Sequence, residues 1–540
     1  MIIFIADFFV EQVAGGGELA NEEVIKTLRN NNFEVITKHS HEITAADLKK
    51  ESDSFFIVAN FVNLKKELLP LFNSLNYVIY EHDHKYLTTR DPSVFENYFA
   101  PYESIINKDF YKNAKAVLCQ SKMHARVVAK NLLINNVVNL GCSLWDEKVL
   151  DHIESLVDNK KENKHSIVRS TNKIKGTFEA ILYCRENELD YELIESPNYE
   201  EFLRQLSKNE NLIFFPKTLE TFCRLAVEAR MLGVKLTTNK NIGATSEPFF
   251  ELKGKESIDF IRNKQKEVYK VFFDLIENKK VKCITTPKIP KISIVSSVYD
   301  ADQFIEGFLE DITRQTIFKN CELILVNANS PGNEEPVIKK YMNKYKNIIY
   351  KKLDHDPGVY GTWNVGIKAA TGKFITNANV DDRRAPNQIE VLARELVNHP
   401  EVGLVYSQCF ITSVSNEAYE NNSSKNQVYA VKEYSRENMI KCLPGCMPLW
   451  RKSLHKKSGY FDEEYKHAGD WAMWLAFIEN GQKFKKVPGV HGLYYHNPNG
   501  LSTSVDSFNT RYKEEKEVFF DHKNVFGTEN FNRYKNYFTR

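Results

Sequence analysis

The patterning of this chain predicts an α/β protein of more than one domain: two doubly wound lobes followed by a third α/β domain. Three observations lead there. Short β-rich runs alternate with amphipathic helical segments from the first residue. The alternation restarts after the run NVVNLGCSLW. A lysine-rich connector with two prolines, KKVKCITTPKIPK, then precedes a third alternation. A length of 540 residues also exceeds what one hydrophobic core serves.

In the first lobe MIIFIADFF, FEVIT, SFFIVAN, NYVIYEHDH and KAVLCQS read as buried strands, with a helix from about Glu18. In the second, HSIVRS, YELIES, NLIFFPK and VKLTTN are the strands. KGTFEAILYCREN, EEFLRQLSK and TFCRLAVEARMLG are the helices between them. A long helical segment, SIDFIRNKQKEVYKVFFDLIEN, leads to the connector and a boundary near residue 285. Beyond it KISIVSSVYD, CELILVNANS, NIIYKKLD, KFITNANVDD and VGLVYSQCF form the third set. The expected divisions are 1–142, 143–284, 285–505 and 506–540, the last a charged helix and tail. No fixed-period repeat is visible.

With 73 basic and 71 acidic residues the net charge is +2, which does not favour nucleic acid or an anionic membrane as the main partner. Nine widely spaced cysteines, mostly within apolar runs, read as reduced thiols and point to the cytoplasm. Cys442 and Cys446 lie close together but lack the second Cys or His pair that a zinc site needs. The opening MIIFIADFFV is interrupted by Asp7, has no basic leader and is too short to span a bilayer, which leaves only peripheral membrane contact open.

The stretch NANVDDRR follows the apolar run KFI and sets Asn379, Asp381 and Asp382 at the carboxyl edge of a strand, where α/β sheets present ligands. Neighbouring carboxylates repel, so a compensating cation is expected. Hard oxygen donors suit Mg²⁺ or Mn²⁺. The competing reading is a polar turn whose acids pair with Arg383 and Arg384.

The order of motifs around this cluster resembles the family 2 glycosyltransferases of GT-A fold (nucleotide-diphospho-sugar transferases) over about residues 290–505. SIVSSVYDADQFI, with Ser297, Tyr299 and Asp300, resembles the first strand and nucleotide loop. DPGVYGTWNVGIKAATGKFITNANVDD resembles the segment ending in the Asp-x-Asp motif. GYFDEEYKHAGDWAMWLAFIENG resembles the acceptor-side segment with the catalytic base, and LYYHNPNGLS the closing loop. The resemblance implies a nucleotide-sugar donor and an inverting displacement. Asn379 and Asp381 would serve metal and diphosphate, Asp382 would lie near the donor sugar, Asp470 would be the base, and His496 would be a further metal ligand. The family's paired aspartates after the second strand are here Asn327, Ala328 and Asn329; Asn327 stands at the donor position.

The amino half resembles family 4 glycosyltransferases of GT-B fold, two Rossmann-like lobes, over about residues 1–280. VAGGGELANEEV places Gly16 and Gly17 between a strand and a helix, where backbone N–H groups can face an anion. In FFPKTLETFCRLAVEARMLG, Glu220 and Glu228 stand about 12 Å apart if helical. The resemblance assigns Glu220 to the donor sugar, Glu228 to the ribose and Arg169 and Lys175 to the donor diphosphate, with no metal. It also assigns a cleft-facing role to either His82 or His84. Together these imply a bifunctional glycosyltransferase acting on a glycan or lipid-linked saccharide acceptor. The alternative is a single-site enzyme whose amino half binds or docks glycan.

Overall fold

Strand β1 (Ile2–Ala6) is buried along its whole length, as strands covered by helices on both faces are. It lies parallel between β2 (Val35–His39) and β3 (Phe55–Val58). The sheet continues through β4 (Asn76–Glu81), β5 (Val117–Cys119) and β6 (Val137–Asn139) in the order β2-β1-β3-β4-β5-β6. A second parallel sheet holds β7 (Glu162–Val168), β8 (Tyr191–Ile194), β9 (Asn209–Phe214) and β10 (Lys235–Thr238), ordered β10-β9-β7-β8. The helix Gly254–Ile276 buries Ile258, Ile261, Val268, Phe272 and Leu275 at helical spacing. Those residues join one core with Phe4 and Tyr80 of the first sheet and Leu212 of the second. Both lobes therefore share an interior.

This computed structural model describes residues 1–539. Its contacts divide the chain into two units, Met1–Pro287 and the remainder from Lys288. The second unit is built on one mixed sheet. Its parallel part holds β11 (Ile292–Val298), β12 (Cys321–Asn327), β13 (Ile348–Lys352) and β14 (Phe374–Asn377). The rest comprises β15 (Arg383–Arg384), β16 (Val402–Thr412), β17 (Val428–Tyr429), β18 (Leu449–Arg451) and β19 (Lys483–Tyr495). The order is β13-β12-β11-β14-β18-β16-β19-β15, with β17 paired to β16. Trp450 and Trp474, ring centroids 5.1 Å apart, anchor the core beneath it.

The segment expected as a charged helix and a tail forms three helices, Phe508–Asp521, Lys523–Phe526 and Thr528–Thr539. Phe519 stacks on Phe526, Phe531 and Phe538 at 5.2, 5.0 and 4.5 Å and brings the segment into the core that holds Trp471 and Trp474. Charged residues dominate this sequence, but the phenylalanines between them decide its packing.

Candidate active site

Strand β14 ends at Asn377, and the next five residues form a loop held from below by arginines. Ala378 N–H donates to Val295 O at 2.8 Å. Arg383 donates to the backbone carbonyls of Val380 and Asp382 at 2.9 and 2.7 Å. Arg384 donates to Gln388 and to the carbonyl of Asn377. Both guanidinium groups are buried and spent on backbone and amide oxygens. Among the described residues neither forms an ion pair with Asp381 or Asp382, so the reading of this cluster as a self-neutralised turn is not what the fold contains.

Asn379 and Asp381 line a cavity of about 1140 Å³. Asp382 does not. It is buried behind the loop, accepting from the Asn379 amide Nδ2 at 3.1 Å and from Tyr495 N–H at 3.1 Å. Expected near the donor sugar, Asp382 is off the cavity wall, and its oxygens accept from Asn379 and Tyr495 instead. Burial and the neighbouring Asp381 push its carboxyl up to about 8, against the pull of Tyr495 N–H, Asn379 and Arg384. Burial likewise raises Asp381, partly offset by a side-chain hydrogen bond from Asn497.

Asp470 lines the same cavity. It is the second residue of helix Gly469–Glu479, where the dipole favours a carboxylate. Its Oδ1 accepts from Trp471 N–H at 2.8 Å and Tyr360 OH at 3.3 Å, and its Oδ2 from Cys442 Sγ at 3.3 Å. Burial raises its pKa; these donors lower it. Gly469 carries no Cβ because one would come within 2.7 Å of the Tyr360 ring. The loop leading in is fixed by Glu514 of the terminal helices, which accepts from Lys466, His467 and Ala468 N–H at 3.0, 2.7 and 3.0 Å.

Ser297, Tyr299 and Asp300 also line the cavity, at the carboxyl end of β11. Asn327 does not; it is buried and its Oδ1 accepts from Ser330 N–H, three residues on, at 2.8 Å. His496 is exposed, lies outside the cavity wall, and its backbone N–H extends the sheet to Thr412 O. The neighbouring Asn497 lines the cavity and reaches Asp381 instead.

Among the described residues no three His, Cys, Asp or Glu side chains are grouped to hold a metal. The hard oxygens that line the cavity beside the strand edge are the Asp381 carboxylate and the Asn379 amide oxygen. Asp382 takes the Asn379 nitrogen, which turns the amide oxygen the other way. Two hard oxygens suit Mg²⁺ or Mn²⁺ that draws its remaining ligands from phosphate and water.

In the amino unit the two glutamates do not share a helix. Cys223, at φ +74°, starts the helix Arg224–Met231, so Glu220 precedes it and the 12 Å helical separation does not apply. Glu220 pairs with Lys175 at 2.8 Å. Glu228 is buried and accepts from Trp145 Nε1 at 2.9 Å and from Tyr199 OH, with Arg224 at 3.6 Å. Arg169 pairs with Glu195 at 3.5 Å on the surface. Gly17 sits against His82, its would-be Cβ 3.4 Å from the ring, and Gly16 against Arg224 at 3.3 Å. His84 packs away from them, 4.9 Å from His124. His82 is thus the histidine at the glycine turn.

A strand-edge acid and amide and a half-buried carboxylate at a helix N-terminus thus line one cavity. Residues 293–458 match the model of Glycosyl transferase family 2, and the protein is a nucleotide-sugar glycosyltransferase through this domain. It is 28% identical over 231 residues, 42% of this chain and 76% of the relative, to an uncharacterized glycosyltransferase of Methanocaldococcus jannaschii. It is also 28% identical over 200 residues to the minor teichoic acid biosynthesis protein GgaB of Bacillus subtilis, covering 36% of this chain but 22% of that protein. Among solved structures, S. aureus TarS 1-349 in complex with UDP-GlcNAc aligns at 17% identity and a TM-score of 0.37, covering 46% of this chain and 73% of that one. No described helix is long and apolar enough to cross a membrane.

Proposed function

We propose that the carboxyl unit is an inverting, GT-A-type glycosyltransferase that moves a sugar from a nucleotide-diphosphate donor to a saccharide hydroxyl during assembly of a surface glycan. The observation that carries this is that Asp381 and Asp470 line one cavity, the first at a strand edge and the second at a helix N-terminus. Tyr299 and Asp300 receive the nucleotide end. Asp470 accepts the acceptor hydroxyl proton as that oxygen attacks the anomeric carbon from the face opposite the leaving diphosphate. Tyr360, Cys442 and Trp471 N–H hold its carboxylate in place. Asp381 and Asn379 would hold a divalent cation, which supplies charge stabilisation for the departing diphosphate. The relation to a teichoic acid biosynthesis protein supports polymer assembly as the setting. The nine unpaired cysteines support a cytoplasmic one.

The amino unit reads as a second, metal-independent donor site of GT-B type. The Lys175–Glu220 pair favours it, because it joins a candidate diphosphate cation to a candidate sugar-binding acid. Against it stands Glu228, whose carboxylate is occupied by Trp145 and Tyr199. An amino unit that only docks glycan is the other outcome. A screen of nucleotide sugars for transfer, with Mn²⁺ or with EDTA, on the wild type and Asp470→Asn separates them. Loss of all transfer in the variant leaves one site; an EDTA-resistant activity that survives belongs to the amino unit. Unchanged Mn²⁺-dependent transfer in the variant removes Asp470 from the chemistry.

A further inference from the structure

We propose that the carboxyl unit binds a small phosphate-bearing anion, inorganic pyrophosphate or a nucleoside phosphate, in a basic recess remote from the catalytic cavity. The recess encloses about 550 Å³, within the range of small-molecule pockets, and shares no lining residue with that cavity. It lies at the other end of β14. Lys373, which lines it, directly precedes Phe374 at the start of the strand, whereas Asn379 and Asp381 follow the strand's last residue, Asn377. Backbone hydrogen bonds hold a second lysine beside the first: Lys373 N–H donates to Lys291 O at 2.8 Å, and Lys452 N–H donates to Lys373 O at 2.9 Å.

Lys373, Arg451, Lys452 and Lys456 line the recess with no carboxylate beside them, and none of the four is in an ion pair among the described residues. Like charges gathered this way repel, and a multivalent anion relieves the repulsion. Protons remain to hold it. Arg451 donates from Nε and Nη2 to the carbonyls of Val402, Leu396 and His399 at 2.8, 2.6 and 3.0 Å, which leaves Nη1 for an oxyanion. Lys452 gives one proton to Ala370 O and keeps two. His455 adds no charge: its Nε2 accepts from the Trp450 indole N–H at 2.9 Å, so Nδ1 carries the proton and donates to Gly459 O at 2.8 Å. Its ring stacks on Tyr460 at 5.3 Å and, with Phe374, sets apolar surface next to the cations. Phe374 and His455 are buried, and Arg451 and Lys452 are only partly exposed. A molecule that enters the recess reaches these cations; a flat bilayer surface does not.

The test reads lysine acetylation by mass spectrometry, residue by residue, on the full chain in EDTA at constant ionic strength and with limiting sulfo-NHS acetate. The arms are pyrophosphate, UDP, and vesicles of phosphatidylglycerol and phosphatidylcholine. Lys373 and Lys456 are exposed and report the recess; Lys266 and Lys513, exposed elsewhere, are the controls. Pyrophosphate or UDP at millimolar concentration should slow acetylation of Lys373 and Lys456 about tenfold and leave the controls unchanged. Lys456→Glu, at an exposed position, should raise the concentration that half-protects Lys373 about tenfold, the value of one charged hydrogen bond. Tighter protection by UDP than by pyrophosphate assigns the Tyr460 face to the nucleoside; equal protection assigns the site to the phosphates alone, and both support it. Absence of protection by either anion, protection by vesicles only, equal protection of the controls, or a midpoint unmoved by Lys456→Glu overturns the proposal.

Discussion

The amide nitrogen of Asn379 donates to the buried carboxylate of Asp382 at 3.1 Å, which turns the amide oxygen away from Asp382. One acid thus orients a neutral residue so that it can act beside the other acid, Asp381. Asp382→Leu removes that hold and leaves Asn379 free to present either end. The expected result is at least a tenfold higher Mn²⁺ concentration for half-maximal activity, in line with the loss of a group that orients a metal ligand. Titrating activity against Mn²⁺ checks it; an unchanged midpoint would show that Asn379 is not a ligand.

The pH profile of Mn²⁺-dependent transfer should report Asp470. Its pKa is raised by burial, and the base works only when ionised, so activity falls as pH drops through a value above the ordinary range of about 3.9. Cys442 Sγ stabilises the ionised form at 3.3 Å. Cys442→Ala removes that donor and moves the acid limb to still higher pH, whereas Cys442→Ser keeps it near the wild-type position. A limb that does not move between Ala and Ser would dissociate Cys442 from the base.

Glu514 links the terminal helices to the active site through three backbone N–H groups ahead of Asp470. Glu514→Ala leaves those donors unpaired, at about 1–3 kcal/mol for a buried group. The loop carrying Asp470 loosens. We expect kcat to fall about tenfold or more, with faster hydrogen exchange at residues 466–470. Glu514→Gln, which keeps one acceptor oxygen, recovers part of the loss. Equal behaviour of Ala and Gln would argue against a positioning role.

The amino unit should lose stability steadily on acidification, beginning near neutrality. Burial is the leading cause that lowers His82 to about 3 and His84 to about 4, so the folded chain keeps them neutral while the unfolded chain protonates them near 6.5. Their contribution is complete above about 6.5 and is lost as pH falls towards 4 and 3. Glu81 acts in the same direction lower down. Its burial is outweighed by Lys85, His124 and Tyr111, which hold it at about 2, so its stabilisation is lost between about 4.5 and 2. Each group contributes a slope of about 1.4 kcal/mol per pH unit within its window. Hydrogen exchange over residues 76–84, corrected for intrinsic rates, should show this slope, and His84→Phe should reduce it.

Most of the parallel strands could be read from sequence because doubly covered strands are unbroken apolar runs, and NANVDD could be placed because it follows one of them; the later strands of the mixed sheet, among them Leu449–Arg451 and Lys483–Tyr495, were not read. Asp470 was singled out by its motif, and the structure sets it at the start of a helix on the cavity. What the sequence hid is contact between distant segments. Asn327 looks like a ligand until its bond to Ser330 N–H is seen. His496 draws attention as a histidine, yet its neighbour Asn497 reaches Asp381. Glu220 and Glu228 have a helical spacing that Cys223 interrupts with a left-handed turn. Glu514 sits in a run of charges with nothing local to mark it, and its role exists only because the helix it rides on packs by Phe519.

The anomeric configuration of the product is the decisive quantity. With a nucleotide sugar of known α-configuration accepted by the wild type, ¹H NMR of the Mn²⁺-dependent product should show the β-linkage, and Asp470→Asn should form it about 10²–10⁴ times more slowly. An α-linked product that depends on Mn²⁺, or an Asp470→Asn rate equal to that of the wild type, would contradict a single displacement in the cavity that Asp381 and Asp470 line.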